Sequence, residues 1–185
     1  MANDKKNVSI GKPKTSGMVY TAPSGTELPS DATTALPEGY HNVGFISEEG
    51  VTNSADVDTT TVSDAGGTTV LNEISSYSET YQFAMLETQA DALGVRFGTE
   101  NIKSSGETLT VDHKMPTGES MIYVFEVLMT GKKVKRIVVP DGTITEYDDT
   151  QYHSGDAITY GVTVAANPSE LIGGATSREY IAPIG

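Results

Sequence analysis

The residues first tested for chemistry are the three histidines, His41, His113 and His153, because imidazole exchanges protons near neutral pH. None of them has a second His, Cys or Glu at a metal-motif interval such as H-E-x-x-H, so each is expected to be a surface or packing residue. The sixteen serines include none in a G-x-S-x-G context, the turn that presents a nucleophilic hydroxyl. Phosphate cradles of the G-x-x-x-x-G-K-[ST] or G-x-G-x-x-G kind are absent. Asp56-Val57-Asp58 and Asp148-Asp149 supply oxygen ligands of the type calcium takes, but without the spacing and central glycine of a calcium loop they read as solvated acidic segments. Glu48-Glu49 cannot form a glycosidase pair on a strand, where adjacent side chains point to opposite faces. The basic run Lys132, Lys133, Lys135 and Arg136 lacks the interleaved aromatics of a single-strand binder and fits a contact between subunits. No catalytic constellation survives, and the chain is expected to be no enzyme and to need no cofactor or metal.

The elements that would position these residues are mostly strands. The first forty residues contain Pro13, Pro23, Pro29 and Pro37 with Gly11, Gly17, Gly25 and Gly39, which leaves no room for a helix and one short strand at Met18–Tyr20. Asn42–Ser47 reads as a strand. Gly50–Thr69 carries only Val51, Val57 and Val62 as large apolar side chains and predicts a long mobile loop. Val70–Leu86 predicts a strand whose apolar parity changes near Ser75-Ser76, the signature of a bulge or a bend. Leu86, Ala90, Leu93 and Phe97 follow at helical spacing, so a short helix is expected over about 87–97, with Thr88 and Asp91 as a capping pair and Gly98 as the stop. Leu109–His113 alternates as a strand does. Met121–Thr130 is apolar on both parities, so both of its faces must be covered, by the fold or by a neighbour. Val134–Val139 and Thr143–Tyr147 predict strands interrupted at Pro140-Asp141-Gly142, and Ile158–Val164 alternates cleanly. The fold class is therefore mainly β: a β-sandwich or partly closed barrel with one flanking helix, extended arms at both ends and a long loop. The expected division is an N-terminal arm over 1–40, a β domain over 41–166 and a C-terminal arm over 167–185.

Composition bounds the function further. The 185 residues suffice for one domain with its own core, and 24 threonines favour half-exposed pleated strands. The absence of cysteine removes disulfides and thiolate chemistry. The charged start of the chain lacks the apolar stretch of a secretory signal, and no apolar run spans a bilayer, so a soluble protein without a cleaved leader is expected. The net charge of −13 is uneven: from Thr15 to Val95 there are twelve carboxylates and no Lys or Arg. Lys5, Lys6, Lys12 and Lys14 precede that stretch. A chain this acidic repels phosphate and disfavours a protein that grips DNA.

Pro23–Ala32 reads P-S-G-T-E-L-P-S-D-A, Gly44–Val51 reads G-F-I-S-E-E-G-V, and Val134–Pro140 with Thr143–Glu146 reads V-K-R-I-V-V-P followed by T-I-T-E. In this order, and with Gly66-Gly67 at a strand entrance, they resemble the major tail tube proteins of long-tailed bacteriophages over nearly the entire chain. Ala65 departs from the pattern, where a Trp is expected before the two glycines. The resemblance implies a β-sandwich subunit of the tail tube type that assembles into stacked hexameric rings within the virion tail, built in the host cytoplasm. The lumen would hold the tape measure protein and later passing genomic DNA, neither bound specifically, and tail-tip and terminator proteins would meet the ends; no membrane partner is implied. On that reading Lys5, Lys6, Lys12, Lys14, Val51, Asp56, Val57, Asp58, Val62, Asp64, Lys132 and Lys133 are candidate contacts between subunits or rings. Glu73, Glu79, Glu146 and Asp148 are candidate acids of the lumen wall. Removal of Ser54–Ser63 is expected to leave the subunit folded and to stop stacking. The alternative is a monomeric β-sandwich that binds carbohydrate or a cell surface, against which the absence of Trp counts.

Overall fold

A strand with two apolar faces has to lie between two covered surfaces, and Met121–Met129 does so. The computed structural model describes residues 3–14 and 16–184. Its strands are β1 (Gly11–Pro13), β2 (Val19–Pro23), β3 (His41–Asn42), β4 (Ile46–Ser63), β5 (Thr69–Met85), β6 (Ile102–Ser105), β7 (Thr108–Val111), β8 (Met121–Met129), β9 (Lys133–Tyr147), β10 (Tyr160–Ala166) and β11 (Arg178–Pro183), and its one α-helix is α1 (Ala90–Phe97). Nine of the strands form one antiparallel sheet in the order β3-β2-β8-β9-β10-β5-β4, with β1 added beside β8 and β11 beside β9. Strands β6 and β7 make a separate small hairpin.

The two faces of β8 define two cores. Tyr123 and Phe125 enter the larger one with Val19, Phe83, Met85, Val139, Val162 and Val164. Ile122 and Val124 enter the smaller one with Ala22 and Val138, under Leu28, Leu36, Tyr40 and Tyr180. The fold itself therefore covers this strand on both sides. The rings of Tyr81 on β5 and Phe125 on β8 stack at 4.8 Å although two strands separate them in the sheet. Three strand spacings of a flat sheet amount to about 14 Å. The sheet must curl to bring these rings together, and β4 stays without a strand on its outer side, so the barrel is not closed.

Several local expectations meet their physical reasons in this sheet. Pairing slips between Asp58↔Ser76 and Thr59↔Ile74, which leaves Ser75 as the extra residue of the expected bulge. Pro140-Asp141-Gly142 does not interrupt the strand: β9 runs through, with a register shift against β8. Gly142 is needed there for close approach, since a Cβ would lie 2.5 Å from the Tyr123 ring. Helix α1 begins later than the spacing suggested, at Ala90, and no side chain caps it. Thr88 instead hydrogen-bonds the Tyr160 hydroxyl at 3.1 Å, while Gly98 ends the helix at φ 88° as expected. The strand expected over Asn42–Ser47 is broken at Gly44, whose φ of 90° separates β3 from β4.

The largest correction concerns residues 50–69. They form no loose loop; most of them lie in β4, paired with β5 down to Ser63↔Thr69. Composition foretells the exposure, since every residue from Thr52 to Ser78 is exposed. What it omitted is that main-chain hydrogen bonds along a partner strand hold a hairpin that buries no side chain. Both terminal segments are extended and docked onto the sheet: β1 lies along β8, and β11 lies along β9 with the register Arg178↔Val138 to Pro183↔Lys133. No helix among the described residues is long and apolar enough to cross a membrane.

Candidate functional site

Beyond Glu79 the β4–β5 hairpin projects from the body, and its two faces differ. Residues paired across an antiparallel ladder share a face. Val57 with Tyr77, and Thr59 with Ile74, continue outward the face that carries Tyr81 and Phe83 into the core. On this face Val57, Tyr77 and Ile74 are 50%, 54% and 70% exposed. The opposite face pairs Asp56 with Ser78, Asp58 with Ser76 and Thr60 with Glu73. Its acids are exposed, and Asp58 accepts the Ser76 hydroxyl at 2.8 Å. Asp64 shapes the tip, accepting the N–H groups of Gly66 and Thr68 at 2.9 and 2.8 Å. Val62, also exposed, pairs with Leu71. Val51 departs from the expected set: it is half-buried, pairs with Phe83 and packs against the larger core.

Glu79, expected as an acid of an open wall, is buried in the subunit. Its carboxylate accepts from Asn53 Nδ2 at 2.9 Å, the Tyr81 hydroxyl at 2.8 Å, Ser177 Oγ at 3.1 Å and Thr176 Oγ1. Burial pushes its pKa up, but the hydrogen bonds from Thr176, Tyr81, Asn53 and Ser177 outweigh it and hold the carboxyl below its ordinary value. A folded value below the unfolded one means that this contribution to stability is complete above the ordinary glutamate pKa of about 4.3 and is lost as pH falls through the folded value. Urea unfolding of the protein and of Glu79→Gln from about pH 6 down to about pH 3 should show a stability gap that closes in acid. A gap independent of pH would contradict the assignment. Glu73, Glu146 and Asp148 are exposed, on the hairpin, on β9 and just beyond it. Arg96 donates to the Asp148 carbonyl at 3.0 Å and lies 4.5 Å from the Tyr147 ring centre, which ties α1 to that end of β9.

The basic residues divide into two groups. Lys12 on β1 and Lys132 in the β8–β9 turn are exposed, Lys133 is half-buried, and the turn is flanked by exposed Val8, Ile10 and Ile184. These apolar residues are held there by hydrogen bonds: Thr130 N–H to the Ile10 carbonyl at 3.1 Å and Ile184 N–H to the Lys132 carbonyl at 2.7 Å. Lys5 is exposed in a single 3-10 turn, and the side chain of Lys6 lies outside the described part of the structure. Lys14 is not free for another subunit. Its Nζ lies 2.5 Å from Glu126 Oε2 in the middle of β8. Glu126 and Arg136 are each 1% exposed and face each other across the β8–β9 ladder. Arg136 Nε donates to Glu126 Oε1 at 2.8 Å, and its other nitrogens donate to the carbonyls of Asp31 and Thr34 at 2.8 Å each. Asp31 in turn accepts the N–H groups of Thr34 and Thr33 at 2.7 and 2.6 Å, which hold its carboxyl well below the usual range. Arg136, expected with Lys132, Lys133 and Lys135 in a contact between subunits, is instead the buried centre of this cluster. The available signal was Glu126, a lone charge inside a doubly apolar strand, which needs a buried partner.

The remaining chemistry is sparse. His41 lies 3.7 Å from Asp91, His153 3.2 Å from Asp156, and His113 packs on Phe97. Asp112 is held below its ordinary value by Lys103 and then Lys114, a small salt-bridged surface group. No group of three or more His, Cys, Asp or Glu that could hold a metal occurs among the described residues. A cleft of about 430 Å³ beside α1 is lined by Gly94, Glu100, Tyr123 and Tyr147 among others, and includes no histidine or basic residue.

The described residues form a curled β-sheet with an open edge, docked ends and a projecting two-faced hairpin. The family model described as phage tail tube protein matches residues 1–170, so the chain belongs to the phage tail tube protein family. That family is structural rather than enzymatic, and the chain is a tail tube subunit of the virion tail. No curated protein matches the chain. Among solved structures, the chain is similar to one described as the tail of an empty GTA particle, computed with helical refinement and C6 symmetry. The likeness covers 94% of this chain and 100% of that one at 13% identity, with a TM-score of 0.41.

Proposed function

We propose that the subunit closes into six-membered rings that stack into a tube, and that this tube conducts the genome into the host. The observation that carries this reading is the hairpin: 27 consecutive exposed residues, Thr52–Ser78, with an apolar face that continues the core outward. A lone copy gains nothing by holding such a face in water, and a neighbour that covers it gains about 25 cal/mol per Å² buried. Strand β4 also presents an unpaired main-chain edge, which a second copy can extend. A contact between unlike surfaces, repeated, either closes into a ring or runs on as a filament, and a tube uses both.

Charge supports the same arrangement. The acids Asp56 and Asp58 on the hairpin suit the exposed Lys12 and Lys132, and the half-buried Lys133, of another copy. Glu73, Glu146 and Asp148 remain the candidate lumen acids, where they would repel duplex phosphates and let DNA and the tape measure protein pass without adhering. Tail-tip and terminator proteins would bind the two ends, after assembly in the host cytoplasm. Negative-stain microscopy of the purified protein at rising concentration tests the proposal. Rings or tubes of uniform diameter are expected; a monomer at every concentration would overturn it.

A further inference from the structure

Strand β5 leaves the body at a definite point: Thr69–Ser78 are exposed, and Glu79 is the first buried residue. A polar cluster holds this point beside the core. The Glu79 carboxylate gathers donors from three pieces of chain, Asn53 on β4, Tyr81 on its own strand, and Thr176 with Ser177 just before β11. All four donors are neutral side chains. The Tyr81 ring, stacked on Phe125, fixes the inner side of the cluster to the core.

The third piece carries hydrogen bonds of its own. Ser169 and Ala175 bridge with a hydrogen bond of 3.0 Å, Gly174 N–H returns to the Ser169 carbonyl at 2.9 Å, and Arg178 donates to the Ile172 carbonyl at 3.0 Å. Ile172 and Thr176 are buried while the tip of this loop is exposed. From Ser177 the chain enters β11, which is paired on one side only.

We infer that residues 169–183 act as a latch on the root of the β4–β5 hairpin, with Glu79 as the group they grip, so that the hairpin keeps one direction only while this segment is docked. Two rigid strands joined to the body through their last few pairs can swing about that junction. A buried carboxylate with donors on both sides of the junction removes this freedom, because any swing leaves an acceptor unpaired in a dry site. The same connection works in reverse. A neighbouring copy that pairs with the open edge of β11 stabilises the latched form, and so presents the hairpin ready for the next contact. This consequence for assembly rests on the tube-subunit reading; the latch itself is a property of the single chain.

Hydrogen exchange read by mass spectrometry on the monomer separates the two. In Thr176→Val/Ser177→Ala, residues 169–178 and the hairpin root (52–56 and 78–81) should both exchange roughly tenfold faster, the loss of a charge-assisted clasp. Peptides within β8 and β10 should stay protected and report an intact fold. Thr176→Ser, which keeps the hydroxyl, should restore protection, and Glu79→Gln should loosen both regions as the double variant does. The critical concentration for tubes should rise by a similar factor. If residues 169–178 loosen and the hairpin root does not, the latch is disproved. If the exchange result holds but the unaltered protein makes no tubes, the latch stands and the tube reading falls.

Discussion

Arg136→Ala should lower the stability of the subunit by about 3–5 kcal/mol, the loss typical when one partner of a buried ion pair is removed. The guanidinium serves three acceptors at once: the Glu126 carboxylate and the carbonyls of Asp31 and Thr34. Without it Glu126, 1% exposed, keeps only Lys14, whose own side chain is about one-third exposed. The turn over residues 31–34 loses its anchor to the sheet at the same time, and with it the cover that Leu28, Leu36 and Tyr40 give the smaller core. Arg136→Lys should recover little, because an ammonium on a flexible stem cannot reproduce the planar fork that meets the carboxylate and both carbonyls. Glu126→Leu with Arg136→Met should recover part of the loss, since an apolar pair of similar volume removes both charges together, while the carbonyls of Asp31 and Thr34 stay without their donor. Urea midpoints for the three variants, at unchanged slope, measure the ordering. A loss below about 1 kcal/mol for Arg136→Ala would show that the cluster is ornamental, as surface pairs often are.

How much of this was legible depends on whether a feature is local. The doubly apolar pattern of Met121–Met129 stated that both faces are covered, and both are. The parity change near Ser75-Ser76 pointed to a bulge or bend, and a bulge lies there at Ser75, because side-chain alternation must reverse wherever a strand gains one residue. Features that depend on a distant partner were not legible. Nothing within ten residues of Glu79 announces Thr176 and Ser177, so it read as one more exposed acid of an acidic chain. Lys14 looked like part of a free basic arm for the same reason, its partner Glu126 being 112 residues away. The hairpin is the intermediate case: composition reported its exposure correctly, but main-chain pairing leaves no trace in side-chain hydrophobicity.

The hairpin also decides which deletion tests the tube. Removing Ser54–Ser63 alone takes away β4 beyond Asn53 and strips Thr69–Ser78 of partners, so such a variant would expose a bare strand, prone to aggregate, and answer nothing. The informative excision replaces residues 57–77 by Asn-Gly, which closes the Asp56↔Ser78 pair with the two-residue turn that antiparallel strands favour. This variant keeps Asn53, Glu79, Tyr81 and the whole larger core. Because the excised residues are exposed on both faces, stability should change by less than about 1 kcal/mol, within the range of surface changes away from buried features. Assembly should be abolished at every concentration at which the full chain forms tubes. A folded variant that still builds long tubes would remove the hairpin from the contact and leave the open edges of β4 and β11 to hold the tube without it. Unfolding of the variant would instead mean that the distal ladder supports the body, against the exposure of every side chain it carries.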